Sequence, residues 1–208
     1  MKLKKKAKRI LVILLIVLFI LLGVLVYINF FDGKKTVKEV KVVNQIEKYG
    51  YNLKDTKTAK YKKLFEDLKK ILNEKEVDEE KYVSKIAEMF VYDFYSLNDK
   101  TAKTDVGGVD FVYSGVLANF LENAEDTYYK YVENNIYGNR NQNLPTVGKI
   151  EIKEVTKEAF AYGDKTDDNA YKVQVEWDYT DESFAKYQKS ATLVFVHDEN
   201  KLSLVELQ

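Results

Sequence analysis

Residues 171–179 read YKVQVEWDY. Apolar residues occupy every second position, so they share one face of a β-strand while lysine, glutamine and acidic residues share the other. Strands of this kind are typical of an antiparallel sheet with one buried face. The same period of two predicts further strands on both sides of this stretch, at Val147–Val155, Ala159–Tyr162, Ala191–Val196 and Leu202–Leu207.

Ahead of Pro145, apolar residues recur every three or four positions, which is the period of amphipathic helices. This pattern predicts helices over Thr58–Asn73, from Asp78 to about Leu97, and from about Gly115 to Asn134. Asp78 is a suitable N-cap because its carboxylate can accept hydrogen bonds from the first turn. Helices followed by strands predict an α+β domain, with about three helices packed on a curved antiparallel sheet of four to five strands.

Residues 10–31 read ILVILLIVLFILLGVLVYINFF and contain no charged residue. A helix of this length, at ~1.5 Å rise per residue, spans the ~30 Å hydrocarbon core of a bilayer. The alternative is a cleavable signal peptide, whose apolar region is shorter and is followed by a small-x-small cleavage site. Because the run is long and ends without such a site, we predict an uncleaved transmembrane helix that contacts membrane lipid.

The flanks of this apolar run predict its orientation. Six basic residues and no acidic residue precede it, which favours a cytoplasmic N-terminus and places the C-terminal domain outside the cell membrane. The predicted order is a basic cytoplasmic segment at 1–9, a single transmembrane helix at 10–31, a stalk at 32–54 and an extracytoplasmic domain at 55–208.

Composition excludes several classes of function. The chain has 33 basic and 33 acidic residues, and the six basic residues before the apolar run leave 27 against 33 in the rest, a poor electrostatic match for nucleic acid. The absence of cysteine excludes disulfides, thiolate metal sites and a thiol nucleophile. No pattern typical of a cofactor or metal site is found, so we predict neither.

The last predicted strands lie in TLVFVHDENKLSLVELQ, residues 192–208. With the order of helices and strands ahead of them, they resemble the closing hairpin of the cone-shaped nuclear transport factor 2-like superfamily. The anchor makes the chain similar to the single-pass assembly factors of type IV secretion and conjugation machines, which carry such a domain outside the membrane. The resemblance covers most of residues 55–208 and transfers no functional residue.

Three groups of polar residues are candidate sites. His197 is the only histidine, but Asp198 beside it should point to the opposite face of a strand, so a solvated turn residue is the favoured interpretation. Glu176 and Asp178 lie about 7 Å apart on one strand face, which suits paired-carboxylate chemistry or, more simply, a solvated outer face. The third group combines oxygen ligands for calcium with residue types that hairpin turns require: Asp164, Asp167, Asp168 and Asn169.

Two further features concern the interior of the predicted domain. Trp177 shares its strand face with Val175 and Tyr179, and these residues are predicted either to pack in the core or to line the central cavity of a cone-shaped fold. The pair Gly107 and Gly108 lacks the spacing of a phosphate-binding loop, so a tight turn is predicted there.

A surface for protein contacts is predicted near the end of the third helix. Tyr129 falls off the apolar stripe of that helix, and Tyr137 and Arg140 follow it. Exposed tyrosine beside arginine is typical of protein interfaces, whereas half-buried packing is the equal alternative. The sequence therefore favours a protein-interaction or scaffold role, with other envelope proteins or with a second copy. A small-ligand-binding role comes next and an enzyme last.

Overall fold

The computed structural model describes residues 14–24 and 40–208. Residues 14–24 are helical, and their large apolar side chains are 47% to 71% exposed. Within the two described ranges, no helix is both long and apolar enough to cross a membrane. The predicted transmembrane helix extends over 10–31, and its parts at 10–13 and 25–31 lie outside the described residues, as do the basic segment at 1–9 and the first part of the stalk.

The segment from Glu39 to Gln208 forms a compact unit separate from the preceding one. Its main sheet is an antiparallel meander of four strands that pair in chain order. The four strands are β3 (Val147–Tyr162), β4 (Lys165–Tyr179), β5 (Ser190–Asp198) and β6 (Lys201–Leu207). The predicted strands Val147–Val155 and Ala159–Tyr162 are one continuous strand, whose pairing with β4 shifts register at three places.

The helices precede the sheet, so the predicted α+β class is confirmed. They are α1 (Ala59–Leu72), α2 (Glu79–Tyr95) and α3 (Leu117–Asp126). Thr58 caps α1 by accepting a hydrogen bond from Tyr61 N, and Asp78 caps α2 by accepting one from Lys81 N, as the sequence predicts for Asp78. α1 packs on α2, and α2 lies against β3 and β4.

Part of the predicted stalk belongs to the domain. Within 32–54, a hairpin forms from β1 (Val42–Ile46) and β2 (Tyr51–Lys54), joined by a 3₁₀ turn. Tyr51 and Leu53 are buried on alternate positions of β2, and the Tyr51 hydroxyl lies 2.6 Å from the Tyr82 hydroxyl of α2. The alternation YNLK is thus a strand signal, and the domain starts before residue 55.

The third helix is shorter than the sequence predicts. α3 ends at Asp126, where the Thr127 hydroxyl donates a hydrogen bond to Asn123 O and the backbone leaves helical geometry. Beyond this point the helical period no longer determines which side chains face inward. As a result Tyr129 is fully buried and Tyr131 is 76% exposed, whereas a helix continued to Asn134 would have Tyr131 on its apolar stripe and Tyr129 off it.

Aromatic rings of α2 fill the space between the helices and the sheet. Phe94 is 2% exposed, and its ring centroid lies 4.9 to 5.6 Å from those of five other aromatic residues. Rings at these separations pack edge-on or offset and add to the free energy of simple burial. The core therefore depends on α2, which contacts the sheet on one side and α1 on the other.

Candidate functional site

An apolar groove opens between α3 and the edge strand β6. It has a volume of about 350 Å³. One wall is Leu204–Leu207 of β6, and the other is formed by Asn119 and Asn123 of α3 and by Thr127 directly after it. The floor is formed by side chains from α2, from the connection before α3, from α3 and from the segment after α3: Phe94, Val112, Val116, Phe120, Ala124 and Tyr128.

The groove floor joins the aromatic core, and acidic residues lie near the groove. The Phe120 ring is 5.3 Å from Phe94, so the floor is continuous with the aromatic core. The only charged side chain in the groove lining is Glu206. Glu122 and Asp126 are exposed on α3. Glu122 is three residues after Asn119 and Asp126 three residues after Asn123, so each carboxylate lies next to a groove residue on the helix surface. A ligand here would meet apolar surface flanked by carboxylates.

The residues predicted to line a cavity lie elsewhere. Trp177 and Val175 are 3% and 1% exposed, and Tyr179 is half-buried. The Trp177 ring packs on Tyr95 with centroids 4.3 Å apart, and Tyr95 in turn packs edge-on against Tyr128. Tyrosine rings thus fill the space beside Trp177, which supports the core interpretation of this strand face and counts against a ligand cavity at Trp177.

Two of the three residues predicted for a protein-contact surface have structural contacts instead. Tyr129 is fully buried, so of the two alternatives an exposed contact position is excluded for it. Its hydroxyl donates to Phe94 O at 2.6 Å and accepts from Gly107 N at 3.0 Å. Arg140 donates to three backbone carbonyls, those of Asn98, Lys100 and Glu133.

Tyr137 is 54% exposed, which agrees with the predicted surface position. Tyr131 and Ile136 nearby are 76% and 45% exposed, so the segment after α3 does present apolar surface. The surface is therefore built from partly different residues than the sequence suggests. Helical period could not identify Tyr131, because α3 ends five residues before it.

Replacing Arg140 by lysine is expected to lower the free energy of unfolding by about 1–2 kcal/mol. The guanidinium bridges Asn98, Lys100 and Glu133 through its planar fork, and a single ammonium cannot reproduce this geometry. Urea unfolding of Arg140→Lys and of Lys130→Arg, which changes an exposed residue nearby, would measure the difference. Equal stability of the two variants would contradict a bridging role for Arg140.

His197 has an orienting carboxylate that the sequence analysis did not identify. Asp167 of β4 accepts hydrogen bonds from His197 N at 2.7 Å, and its Oδ2 lies 2.8 Å from the ring Nδ1. The ring Nε2 lies 3.4 Å from Glu79, the first residue of α2. Asp167 and His197 are 30 residues apart, and only the pairing of β4 with β5 brings these strands together.

The groups around His197 differ from a nucleophilic triad. The hydroxyl in this cluster belongs to Tyr171, which donates to Glu79 at 2.7 Å. Burial raises the pKa of Tyr171 to about 12, which keeps the hydroxyl protonated and weakly nucleophilic. The hydrogen bond from Tyr171, followed by the charges of His197 and Lys157, lowers the pKa of Glu79. The cluster links α2 to the sheet, and no step of chemistry follows from its geometry.

The other polar candidates are strand and turn residues. The turn between β3 and β4 is at residues 163–164, and Asp167 and Asp168 lie within β4 rather than in a calcium loop. In the ranges that the structure describes, no group of three or more histidine, aspartate or glutamate residues is placed to hold a metal ion. Glu176 and Asp178 are exposed on the outer face, where Glu176 lies 3.1 Å from Lys153.

A buried ionic cluster, which the sequence analysis missed, closes the turn at the paired glycines. Asp93 of α2 accepts hydrogen bonds from Lys57 at 2.6 and 2.7 Å, from Lys100 at 2.9 Å and from Gly108 N at 2.8 Å. Burial raises the pKa of Asp93, but the charges of Lys100 and Lys57 outweigh this effect and hold it well below its ordinary value.

The same turn explains why both residues are glycine. Gly108 has a positive φ of 75°, which glycine adopts without strain. A Cβ atom at Gly107 would come within 2.1 Å of Asp93 O, so the backbone there approaches α2 too closely for any side chain. The predicted tight turn is confirmed.

Comparisons with known proteins do not assign a function to this chain, so the assignment depends on the geometry described above. A scan against protein-family models and searches of curated proteins and of solved structures each return no match.

Proposed function

We propose that this protein is a membrane-anchored, extracytoplasmic protein-interaction domain. The observation that carries the proposal is the open apolar groove between α3 and β6. Clefts lined mainly by apolar side chains with a few polar groups are the usual places where proteins bind other molecules. The exposed Tyr131, Ile136 and Tyr137 add apolar and aromatic surface of the kind found at protein interfaces.

The anchor is part of the same proposal. The uncharged run at residues 10–31 is long enough to span a bilayer, and helical residues 14–24 expose their apolar side chains, as contact with lipid requires. Basic residues ahead of it favour a cytoplasmic N-terminus. Such a tether limits the domain to partners at the membrane, which are other envelope proteins or a second copy. The resemblance of the chain to conjugation and secretion assembly factors supports an envelope assembly as the setting.

Site-specific photo-crosslinking in intact cells tests this function. A photoreactive amino acid at Asn123, in the groove wall, and at Tyr131 is expected to give discrete crosslinked products in the membrane fraction. Glu154, exposed on the opposite edge strand β3, is the matched control position and should give none. Carbonate extraction should leave the full chain in the membrane pellet.

Two results would contradict the proposal. Release of the full chain by carbonate would contradict the predicted membrane anchor. If the protein is membrane-bound and no crosslinked product forms at Asn123, Tyr131 or Glu154, the protein-interaction role is contradicted.

A further inference from the structure

The two sides of the edge strand β6 differ in their pairing. Gln208, directly after β6, exchanges both backbone hydrogen bonds with Thr192, at 2.9 and 3.0 Å, so its N–H and C=O point toward β5. Consecutive residues of an antiparallel pair alternate in this respect. The N–H and C=O of Leu207 therefore point to the other side, and β6 is the last strand of the sheet on that side.

Another part of the chain already pairs with the beginning of this open side. Val112 forms a parallel bridge with Leu204, and Tyr113 N donates to Leu204 O at 2.8 Å. The chain then turns away, since Val116 N bonds back to Tyr113 O at 3.1 Å, and continues into α3. Val205, Glu206 and Leu207 line the apolar groove, and within the described ranges no strand pairs with this edge of β6. Val205 is an extra residue in the pairing with β5, because Val194 pairs with Glu206 and Phe195 with Leu204.

We propose that the groove binds an extended segment of a partner protein, which adds to β6 as a further strand beside Val205–Leu207. This inference rests on the proposed protein-interaction function and names the site and the chemistry of the partner. Strand addition at an open sheet edge is a general mode of peptide recognition, in which main-chain hydrogen bonds supply affinity and alternate side chains supply specificity. At ~3.3 Å per residue, this edge accommodates about three to five residues of the partner.

The composition of the groove determines which segment fits. Alternate side chains of an added strand would point into the apolar floor formed by Phe94, Val116 and Phe120. The opposite side chains would face the rim, where the groove lining contains Glu206 and no lysine or arginine. α3 has Glu122 and Asp126 exposed beside the groove wall, and it has no basic residue. The partner segment is therefore one in which β-branched or aromatic residues alternate with lysine or arginine.

A fluorescent peptide of sequence KVKVKVK tests the proposal with the full chain in detergent micelles. We expect saturable binding by fluorescence anisotropy and at least about tenfold weaker binding of EVEVEVE, because the rim is acidic. Two further peptides have the KVKVKVK sequence with either the valine or the lysine backbone nitrogens methylated, so that each lacks the donors of one strand edge. One of the two is expected to bind about tenfold more weakly if main-chain pairing holds the peptide. Equal binding of both methylated peptides and the unmodified peptide would overturn strand addition.

Variants of the protein test the location. Glu206→Lys reverses the charge of the groove lining, and Asn123→Trp fills the groove from its α3 wall; each should weaken KVKVKVK binding by about tenfold. Glu154→Lys, the same charge change on the opposite edge strand, should leave binding unchanged. Circular dichroism and thermal unfolding verify that each variant is folded. Equal weakening by Glu154→Lys would show that the peptide binds through general charge attraction, which overturns the site.

The remaining outcome distinguishes this inference from the proposed function. If a second copy covers the groove, sedimentation will show a dimer that Glu206→Lys and Asn123→Trp dissociate, with no peptide binding by either form. That result would overturn peptide addition and leave the protein-interaction role intact. Crosslinked products at Tyr131 that the groove variants leave unchanged would likewise overturn peptide addition and leave the protein-interaction role intact. Failure of the proposed function itself would give no crosslinked products at any position.

Discussion

Replacing Asp93 by asparagine is expected to lower the free energy of unfolding by about 3 kcal/mol. Asp93 is 4% exposed and contacts the ammonium groups of Lys57 and Lys100, of which Lys100 is 3% exposed. Asparagine keeps the size of the side chain but leaves the buried Lys100 charge compensated only by Asp99, at 3.1 Å. Removing one partner of a buried ion pair costs far more than the pair itself contributes, because the other charge stays desolvated.

A matched control separates this effect from loss of any ion pair. Asp67 and Lys70 form an exposed pair on α1, at 3.0 Å, and Asp67→Asn should change the free energy of unfolding by less than about 0.5 kcal/mol. Urea titrations of both variants would give the two values from the transition midpoints. Similar values for Asp93→Asn and Asp67→Asn would contradict a desolvated cluster.

The pH dependence of the Asp93 effect has a definite sign. The folded-state pKa of Asp93 is lowered, so its contribution to stability is complete above the unfolded-state value of about 3.9 and is lost as the pH falls toward the folded-state value. The difference between wild type and Asp93→Asn should therefore be constant from about pH 5 upward and shrink below about pH 4. A difference that grows on acidification would contradict the ion-pair assignment.

Local patterns in the sequence predict the elements of this fold and little of their mutual arrangement. The alternation in 171–179 and the cap at Asp78 depend on neighbouring residues, and the structure confirms them. Asp93, by contrast, lies among apolar residues of α2, and nothing local indicates that Lys57 and Lys100 converge on it. Contacts of this kind follow from the packing of α2 against the turn at Gly107 and Gly108.

The candidate groove is also only partly predictable from local sequence patterns. The apolar stripe of the third predicted helix contains Val116, Phe120 and Ala124, which form part of the floor. The stripe remains partly uncovered because Val112 and Tyr113 pair with β6 only at Leu204, in the middle of the strand, and no periodicity encodes this pairing. Asp167 and His197 are also joined by sheet register alone. Sites that depend on such register require the structure.

Tyr129 is the clearest case in which the end of a helix reverses a prediction. Within a helix extending to Asn134 its side chain would face solvent, but α3 stops at Asp126 and the ring enters the core. Its centroid lies 5.5 Å from that of Phe94, and its hydroxyl joins Phe94 O to Gly107 N. The residue therefore connects α2, the glycine turn and the segment after α3.

Tyr129→Ala is expected to lower the free energy of unfolding by about 3–5 kcal/mol, because it empties a packed site and leaves two buried backbone groups without a partner. Tyr129→Phe keeps the ring and removes only the hydroxyl, so a loss of about 1–3 kcal/mol is expected. Tyr131→Ala is the control, since that ring is 76% exposed and its removal should cost less than about 1 kcal/mol. Urea titrations of the three variants would rank these losses. If Tyr129→Ala were no more costly than Tyr131→Ala, both rings would lie at the surface, and Tyr129 would again be available to a partner protein as the helical pattern suggests.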